Sequence, residues 1–234
     1  MSHQHELDRI ADRYAKRRAR PDRFSIVAED ERLPRLLRRI DGLGRDRASI
    51  DLLEIGCGSG RNLLHLIAAG FSPERLVGNE LLPDRVRSAR RDLPGSVRVL
   101  EGDAASLELP DASFDVVFAS TVFSSILDDS VRRNVADSMW RMLRPGGAIL
   151  WYDFAVDNPR NPDVRGVPDR QIGRLFPEGE CDVERITLAP PIARLALRAP
   201  RALGALAYRT LAILPMLRTH RIAWIAKPVP RTAP

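Results

Sequence analysis

An apolar run, Ile50 to Ile55, carries Glu54 and leads into three glycines at alternate positions, Gly56, Gly58 and Gly60. Glu80 ends a second run, "RLVGNE", and Asp103 ends a third, "VRVLEGD". Glycines so placed let a ligand lie against bare backbone. A dinucleotide fingerprint needs G-x-G-x-x-G, and Arg61 occupies the third-glycine position here. A phosphate P-loop needs G-x-x-x-x-G-K-[ST], which is absent. Glu54 adds negative charge ahead of the loop, which disfavours a polyphosphate. A ligand with a positive centre and no phosphate fits better. A carboxylate at Glu80 can accept both hydroxyls of a ribose, and one at Asp103 can accept a hydrogen bond from an adenine amino group.

Alternating strands and helices must position these groups. Ile50 to Ile55, "RLVGNE" (75–80), "VRVLEGD" (97–103), "FDVVFAS" (114–120) and "AILWYDF" (148–154) read as strands. Helical segments lie between them at Arg61 to Ala69, Pro83 to Asp92 and Asp128 to Leu143, the last stopped by Pro145-Gly146-Gly147. This pattern predicts a doubly wound α/β fold with a mostly parallel sheet. A helix at Asp169 to Phe176 and strands at Val183 to Leu188 and 221–227 follow. Ahead of the alternation, the spacing predicts two helices broken at Pro21, over Glu6 to Ala19 and Ala28 to Ile40. Between the last two strands, Ala189 to Thr219 forms a helical insertion split at Pro200. In it Leu203, Leu206, Ile213 and Leu214 share a face opposite Arg201 and Arg209.

The stretches "LLEIGCGSG", "LVGNELLPDRV", "EGDAASLELPDASFDVVFAS" and "RMLRPGGAILWYDF" occur in order at fixed spacing. In them the chain resembles the class I (Rossmann-like) S-adenosylmethionine-dependent methyltransferases, within a bacterial subgroup of the methyltransferase type 11/25 kind. The resemblance implies seven strands with the last antiparallel, helices on both faces, S-adenosyl-L-methionine as cofactor with S-adenosyl-L-homocysteine as product, and no metal. It implies that Gly56, Gly58 and Gly60 lie against the methionine end and Glu54 near the cofactor amino group. Glu80 would bind the ribose, Leu81 would flank the adenine, Asp103 and Ala104 would face the adenine edge, and Ser120 would lie near the sulfonium. Residues 1–234 then form one domain: an N-terminal helical cap (1–45), a cofactor-binding core (46–188), an insertion roofing the cleft (189–219), and the last strand and tail (220–234).

Methyl transfer from a sulfonium is an in-line displacement, so alignment and water exclusion matter most. Asp153 and His220 are the candidate catalytic groups, because strand polarity places both at the ligand end of the sheet. "DNPRNPDVRG" (157–166) follows the fifth strand, with Arg160 and Arg165 able to hold an acidic or polyhydroxy acceptor. Cap and insertion together suggest an enclosed pocket and a small-molecule substrate. The fourth strand runs on as "ASTVFSSI" and lacks the Asn/Asp-Pro-Pro-Tyr/Phe motif of many enzymes that methylate amino groups on bases or proteins. A hydroxyl of a sugar, glycan or natural product is the favoured acceptor. A lipid-linked or quinone-type acceptor at a membrane surface, or a non-catalytic cofactor-binding module, are the alternatives.

The net charge of +6 and pI of about 10.1 invite a nucleic-acid reading. Against it, every basic residue except Lys16 and Lys227 is arginine, and the arginines alternate with acids, as in "DRIADRYAKRR". The two cysteines, Cys57 and Cys181, have no metal-ligand spacing and suit a reducing cytoplasm. No apolar leader and no membrane-spanning run are evident. Peripheral membrane contact through 189–219 is the one exception to a cytoplasmic reading. The sequence leaves the oligomeric state open.

Overall fold

The computed structural model describes residues 2–15, 22–159 and 161–230. Pro21 and Arg160, singled out above, lie outside the described residues. Two helices open the chain, α1 (His3–Ala15) and α2 (Arg23–Asp41). Asp22 starts α2 by accepting the Ser25 N–H at 2.9 Å, an N-cap that carries the helix start several residues ahead of the apolar periodicity. There follow β1 (Leu52–Ile55), α3 (Arg61–Ala68), β2 (Leu76–Glu80), α4 (Pro83–Asp92), β3 (Arg98–Glu101), β4 (Phe114–Ser120) and α5 (Asp129–Met142). The chain ends with β5 (Leu143–Phe154), α6 (Asp169–Leu175), β6 (Glu180–Leu188), α7 (Pro190–Ala196), α8 (Arg201–Leu211) and β7 (Arg218–Ala226).

The seven strands form one sheet in the order β3-β2-β1-β4-β5-β7-β6. β7 runs antiparallel to β5 and β6, while the pairs among β1 to β5 are parallel. The doubly wound fold expected from the sequence is therefore present, with its antiparallel last strand. Successive side chains of a strand point to opposite faces. Leu53, Ile55, Val117, Ile149 and Trp151 consequently pack with the buried residues of α5 and α6. Leu52, Val116, Phe118 and Leu150 pack on the other face with those of α2, α3 and α4.

Three strands begin well ahead of the sequence expectation, β7 among them at Arg218 rather than 221. β5 begins at Leu143 rather than Ala148, because Pro145 to Gly147 run on as strand-like backbone and Gly146 N–H bonds to Lys227 O at 2.8 Å. The register shifts between Phe114 and Val116 at that point. β6 begins at Glu180 rather than Val183; it is an edge strand whose first half is exposed and charged, so no apolar alternation marks it.

α5 places Arg132 fully inside the protein. Its guanidinium donates to Ile126 O at 2.6 Å, to Arg165 O at 3.0 Å and to Gln171 Oε1 at 3.1 Å. Burial pulls its pKa down to about 10, so it stays cationic at neutral pH. One side chain thus joins the loop after β4 to the loop after β5. Arg132→Leu leaves buried carbonyls without donors, and each such loss costs about 1–3 kcal/mol. Urea unfolding at pH 7 is expected to show a stability loss of about 2–4 kcal/mol; a change below about 0.5 kcal/mol, the size of an ordinary surface substitution, rejects this role.

Candidate functional site

The parallel strands deliver their carboxyl ends to one edge of the sheet, and the cleft lies there. β1 ends in a loop whose glycines 56, 58 and 60 all have positive φ. At two of them a side chain is excluded on space as well. A Cβ on Gly56 would lie 2.8 Å from Val122 Cγ2, and one on Gly60 would lie 2.6 Å from Leu93 Cδ1. The loop is fixed from β2: Cys57 N–H donates to Asn79 O at 2.8 Å. Glu80, at the end of β2, accepts Gly58 N–H at 2.8 Å and Leu82 N–H at 3.0 Å, one on each oxygen. Each oxygen keeps a second lone pair for a further donor.

Glu54 is completely buried beneath this loop. Asn62, on α3, donates to its Oε1 at 2.5 Å, while Oε2 has no partner. Burial pushes its pKa up to about 7, with Asn62 and Arg32 opposing and Glu80 adding to the rise. Arg32 reaches in from α2, donating to Asn62 Oδ1 at 2.8 Å and to Ser120 Oγ at 2.9 Å. Its guanidinium lies 4.7 Å from the centre of the Tyr152 ring.

A cavity of about 210 Å³ opens along this edge. Gly56, Glu80, Leu81, Asp103, Ala104 and Ser120 all line it, whereas Glu54, Gly58 and Gly60 lie outside its lining. Asp103 caps the short turn Ala104–Ser106 through the Ala105 N–H at 3.1 Å, and its Oδ2 lies 2.6 Å from His3 Nε2. Leu7, Ile10 and Tyr14 of α1 form the cover. Thr121, also in the lining, holds φ at +56°, a strained value for a β-branched residue at the tip of β4.

Asp153 and His220 lie outside this lining. Asp153 is buried, accepting Ser124 N–H at 3.0 Å on one oxygen and Phe154 N–H at 2.8 Å on the other. Burial raises its pKa to about 6. His220 is buried between Tyr152, stacked at 5.2 Å, and Phe154 at 4.1 Å. Burial, reinforced by Arg32, lowers its pKa to about 3, so the ring is neutral at physiological pH. Both lie at the carboxyl end of β5, where strand polarity puts them, and outside the cavity lining. No residue of 189–219 lines the cavity either; α8 reaches this side through Tyr208, whose hydroxyl donates to Glu31 Oε2 at 2.7 Å.

The residues fit a ligand with a cationic amine and vicinal hydroxyls. Glu54 offers a buried acceptor that lacks a donor, Glu80 has lone pairs to spare, and the glycine loop admits nothing bulkier than backbone. Sequence reasoning missed Arg32, Asn62 and the Tyr208–Glu31 contact. Only Asn62 carried a signal, as the second residue of the helix that follows the glycines.

Residues 52–147 match the family model described as a methyltransferase domain. Two curated relatives are each 31% identical over 62% of this chain. They are the 27-O-demethylrifamycin SV methyltransferase of Amycolatopsis mediterranei and the demethylmenaquinone methyltransferase of Deinococcus radiodurans. The chain spans 54% of the first and 64% of the second, short of two thirds of either. Among solved structures, phosphoethanolamine N-methyltransferase 2 of Haemonchus contortus, in complex with S-adenosyl-L-methionine, aligns over 83% of this chain and 52% of its own. The TM-score is 0.59 at 16% identity, a likeness of fold.

Two outcomes follow from the carboxylates. An amine cation beside Glu54 would ionise it, since its raised pKa leaves it mostly protonated at pH 6. Calorimetry of S-adenosylhomocysteine binding at pH 6, in buffers of different ionisation enthalpy, should show release of about one proton per site, lost in Glu54→Gln. Equal proton release in both proteins rejects the assignment. Glu80→Ala removes both loop anchors and a ribose acceptor, and affinity should fall about 100-fold or more, from charge-assisted bonds of about 1.5–3 kcal/mol each. Unchanged affinity sinks the role given to Glu80.

Proposed function

The chain belongs to the class I S-adenosylmethionine-dependent methyltransferases of the type 11/25 kind, and on that premise we propose that it methylates a hydroxyl of a small molecule, a sugar, glycan or natural product. The observation that carries the reading is the covered cavity of about 210 Å³, which runs from Glu80 and Asp103 to the tip of β4. A space partly covered by Leu7, Ile10 and Tyr14 of α1 supports a small acceptor over a polymer. One relative is named for O-methylation of a natural product, which agrees with a hydroxyl.

The cofactor supplies an electrophilic methyl group on its sulfonium. In our reading the chain's residues bind, orient and exclude water. Glu54 and the loop Gly56, Gly58 and Gly60 take the methionine end, Glu80 takes the ribose, Leu81 and Ala104 bracket the adenine, and Asp103 accepts from its amino group. Ser120 stands at the sulfonium end, its hydroxyl already held by Arg32. Leu7, Ile10 and Tyr14 keep bulk water out. As the new carbon–oxygen bond forms the sulfur–methyl bond would break, leaving S-adenosyl-L-homocysteine, and the proton of the acceptor hydroxyl would pass to solvent.

Asp153 and His220 act in this reading through what they hold. Asp153 fixes the Ser124 backbone behind the β4 tip, and the neutral His220 ring supports Tyr152. Residues 189–219 lie outside the cavity lining and reach this side through Tyr208 on Glu31. A second reading, transfer to a lipid-linked or quinone-type acceptor at a membrane surface, is favoured by the exposed apolar side chains of the same segment.

Purified protein incubated with methyl-labelled cofactor and separate pools of glycan, metabolite, lipid, RNA and protein tests the assignment. Label in a small hydroxylated product supports it, and label in the lipid pool supports the second reading. Label confined to RNA or protein overturns both, and cofactor binding without turnover on any pool marks a non-catalytic binding module.

A further inference from the structure

The strongest unexplained surface is the outside of the insertion. Leu195, Leu203, Leu206, Ile213 and Met216 are between 61% and 79% exposed. Leu214 beside them is 48% exposed. The other exposed large apolar side chains, Ile26, Leu64, Val156 and Val229, are spread over separate elements. A concentration of this kind within some twenty residues is unusual for surface that only meets water.

The exposure is imposed by packing. α8 buries Gly204 and Tyr208. A Cβ on Gly204 would lie 3.2 Å from the carbonyl oxygens of both Ala196 and Ala199, so this face is pressed against the end of α7. Tyr208 is tied to Glu31 on the same side. Helical geometry then turns Leu203 and Leu206 directly away from the protein. Rotating α8 to hide them would pull Tyr208 out of its satellite core with Leu188, Ala193, Leu197 and Ala212.

Charge selects the occupant. The chain has no aspartate or glutamate after Glu184. Arg198, Arg201 and Arg209 are exposed and form no ion pair with the described residues, whereas Arg194 pairs with Asp22. A second copy docked symmetrically would set these arginines against each other. Exposed apolar side chains and exposed arginines without ion pairs on one short segment match an anionic lipid interface, with leucines in the acyl boundary and guanidinium groups reaching the headgroups. Among the described residues no helix is long and apolar enough to cross a membrane, so the contact lies in the plane of the surface.

We propose that residues 195–216 dock the protein on an anionic bilayer surface through Leu195, Leu203, Leu206, Ile213 and Met216, with Arg198, Arg201 and Arg209 at the headgroups. This deepens the second functional reading, and vesicle binding is read without turnover, so the two can fail separately.

Flotation of the full chain with vesicles of phosphatidylcholine alone, or with phosphatidylglycerol added, is the test. The protein should float with the anionic vesicles only, and release in about 0.5 M salt, where charges are screened over a few ångströms. Leu203→Ser with Leu206→Ser should weaken the partition about tenfold or more. Each of Arg201→Gln and Arg209→Gln should weaken it about fivefold. Leu64→Ser, an exposed leucine on α3, should leave flotation unchanged. All variants should keep the parent unfolding midpoint, because the substituted side chains are exposed. Failure to float with anionic vesicles overturns the proposal, as does flotation that survives the double leucine substitution. A molecular mass in light scattering that halves in the double variant assigns the face to a second copy and overturns it as well.

Discussion

The burial of Glu54 governs the cleft. A carboxylate at the end of β1, sealed under the glycine loop, cannot remain charged cheaply in a low-dielectric interior. Asn62 supplies one donor, and Arg32 acts through Asn62 and over a short distance in space. That is too little to hold the ionised form, so its pKa rises to about 7. The result is half of an ion pair, built and left open. A ligand that brings an ammonium group recovers the desolvation already spent, and an anionic ligand finds the site hostile. Our reading of Glu54 as the acceptor for the cofactor amino group rests on this arrangement.

The glycine loop and the N-terminal helices complete what Glu54 begins. Glu80 braces the loop from the neighbouring strand and, in our reading, is also the ribose acceptor. α1 is held by Glu6, which is fully buried and accepts Leu127 N–H at 2.5 Å and Asp128 N–H at 3.4 Å. Burial alone would raise its pKa; Arg9 and the two N–H donors outweigh that and hold it below the ordinary carboxylate value. Arg9 also donates to Ser125 O at 2.5 Å, and Tyr14 lies 3.1 Å from Ser125 Oγ. Cover and β4 tip are thus one bonded unit, which explains how Thr121 can be kept in a strained conformation at the cavity wall.

The strands and the glycine loop were legible in the sequence because buried parallel strands are short apolar runs and their ends carry unlike residues. Glu80 and Asp103 stood out for that reason. The long-range polar contacts were not legible. Nearly every basic residue is arginine, so Arg32 and Arg132 look no different from the solvated arginines around them. What distinguishes them is where α2 and α5 come to lie, a tertiary outcome. Edge strand β6 hid its first half because exposed charged residues there have no pattern to show. The insertion was read with Leu203 and Leu206 on one face, and that face is real. Its inward neighbour is instead the face of Gly204 and Tyr208, chosen by a close helix contact that periodicity does not encode.

α2 joins the two halves of the functional reading. Glu31 turns outward to the Tyr208 hydroxyl, and Arg32, the next residue, turns inward to Asn62 and Ser120. The Asp22 cap of the same helix pairs with Arg194 of α7. The insertion therefore grips α2 at its start and again beside the residue that reaches the cofactor cradle. The family model matches 52–147, and the relatives similar to this chain are named for a rifamycin and for a menaquinone, so membership of the family does not by itself choose an acceptor. In our reading that choice falls to the elements outside 52–147. α1, α2 and the insertion are those elements, and adjacent residues of one helix bind the insertion to the cleft.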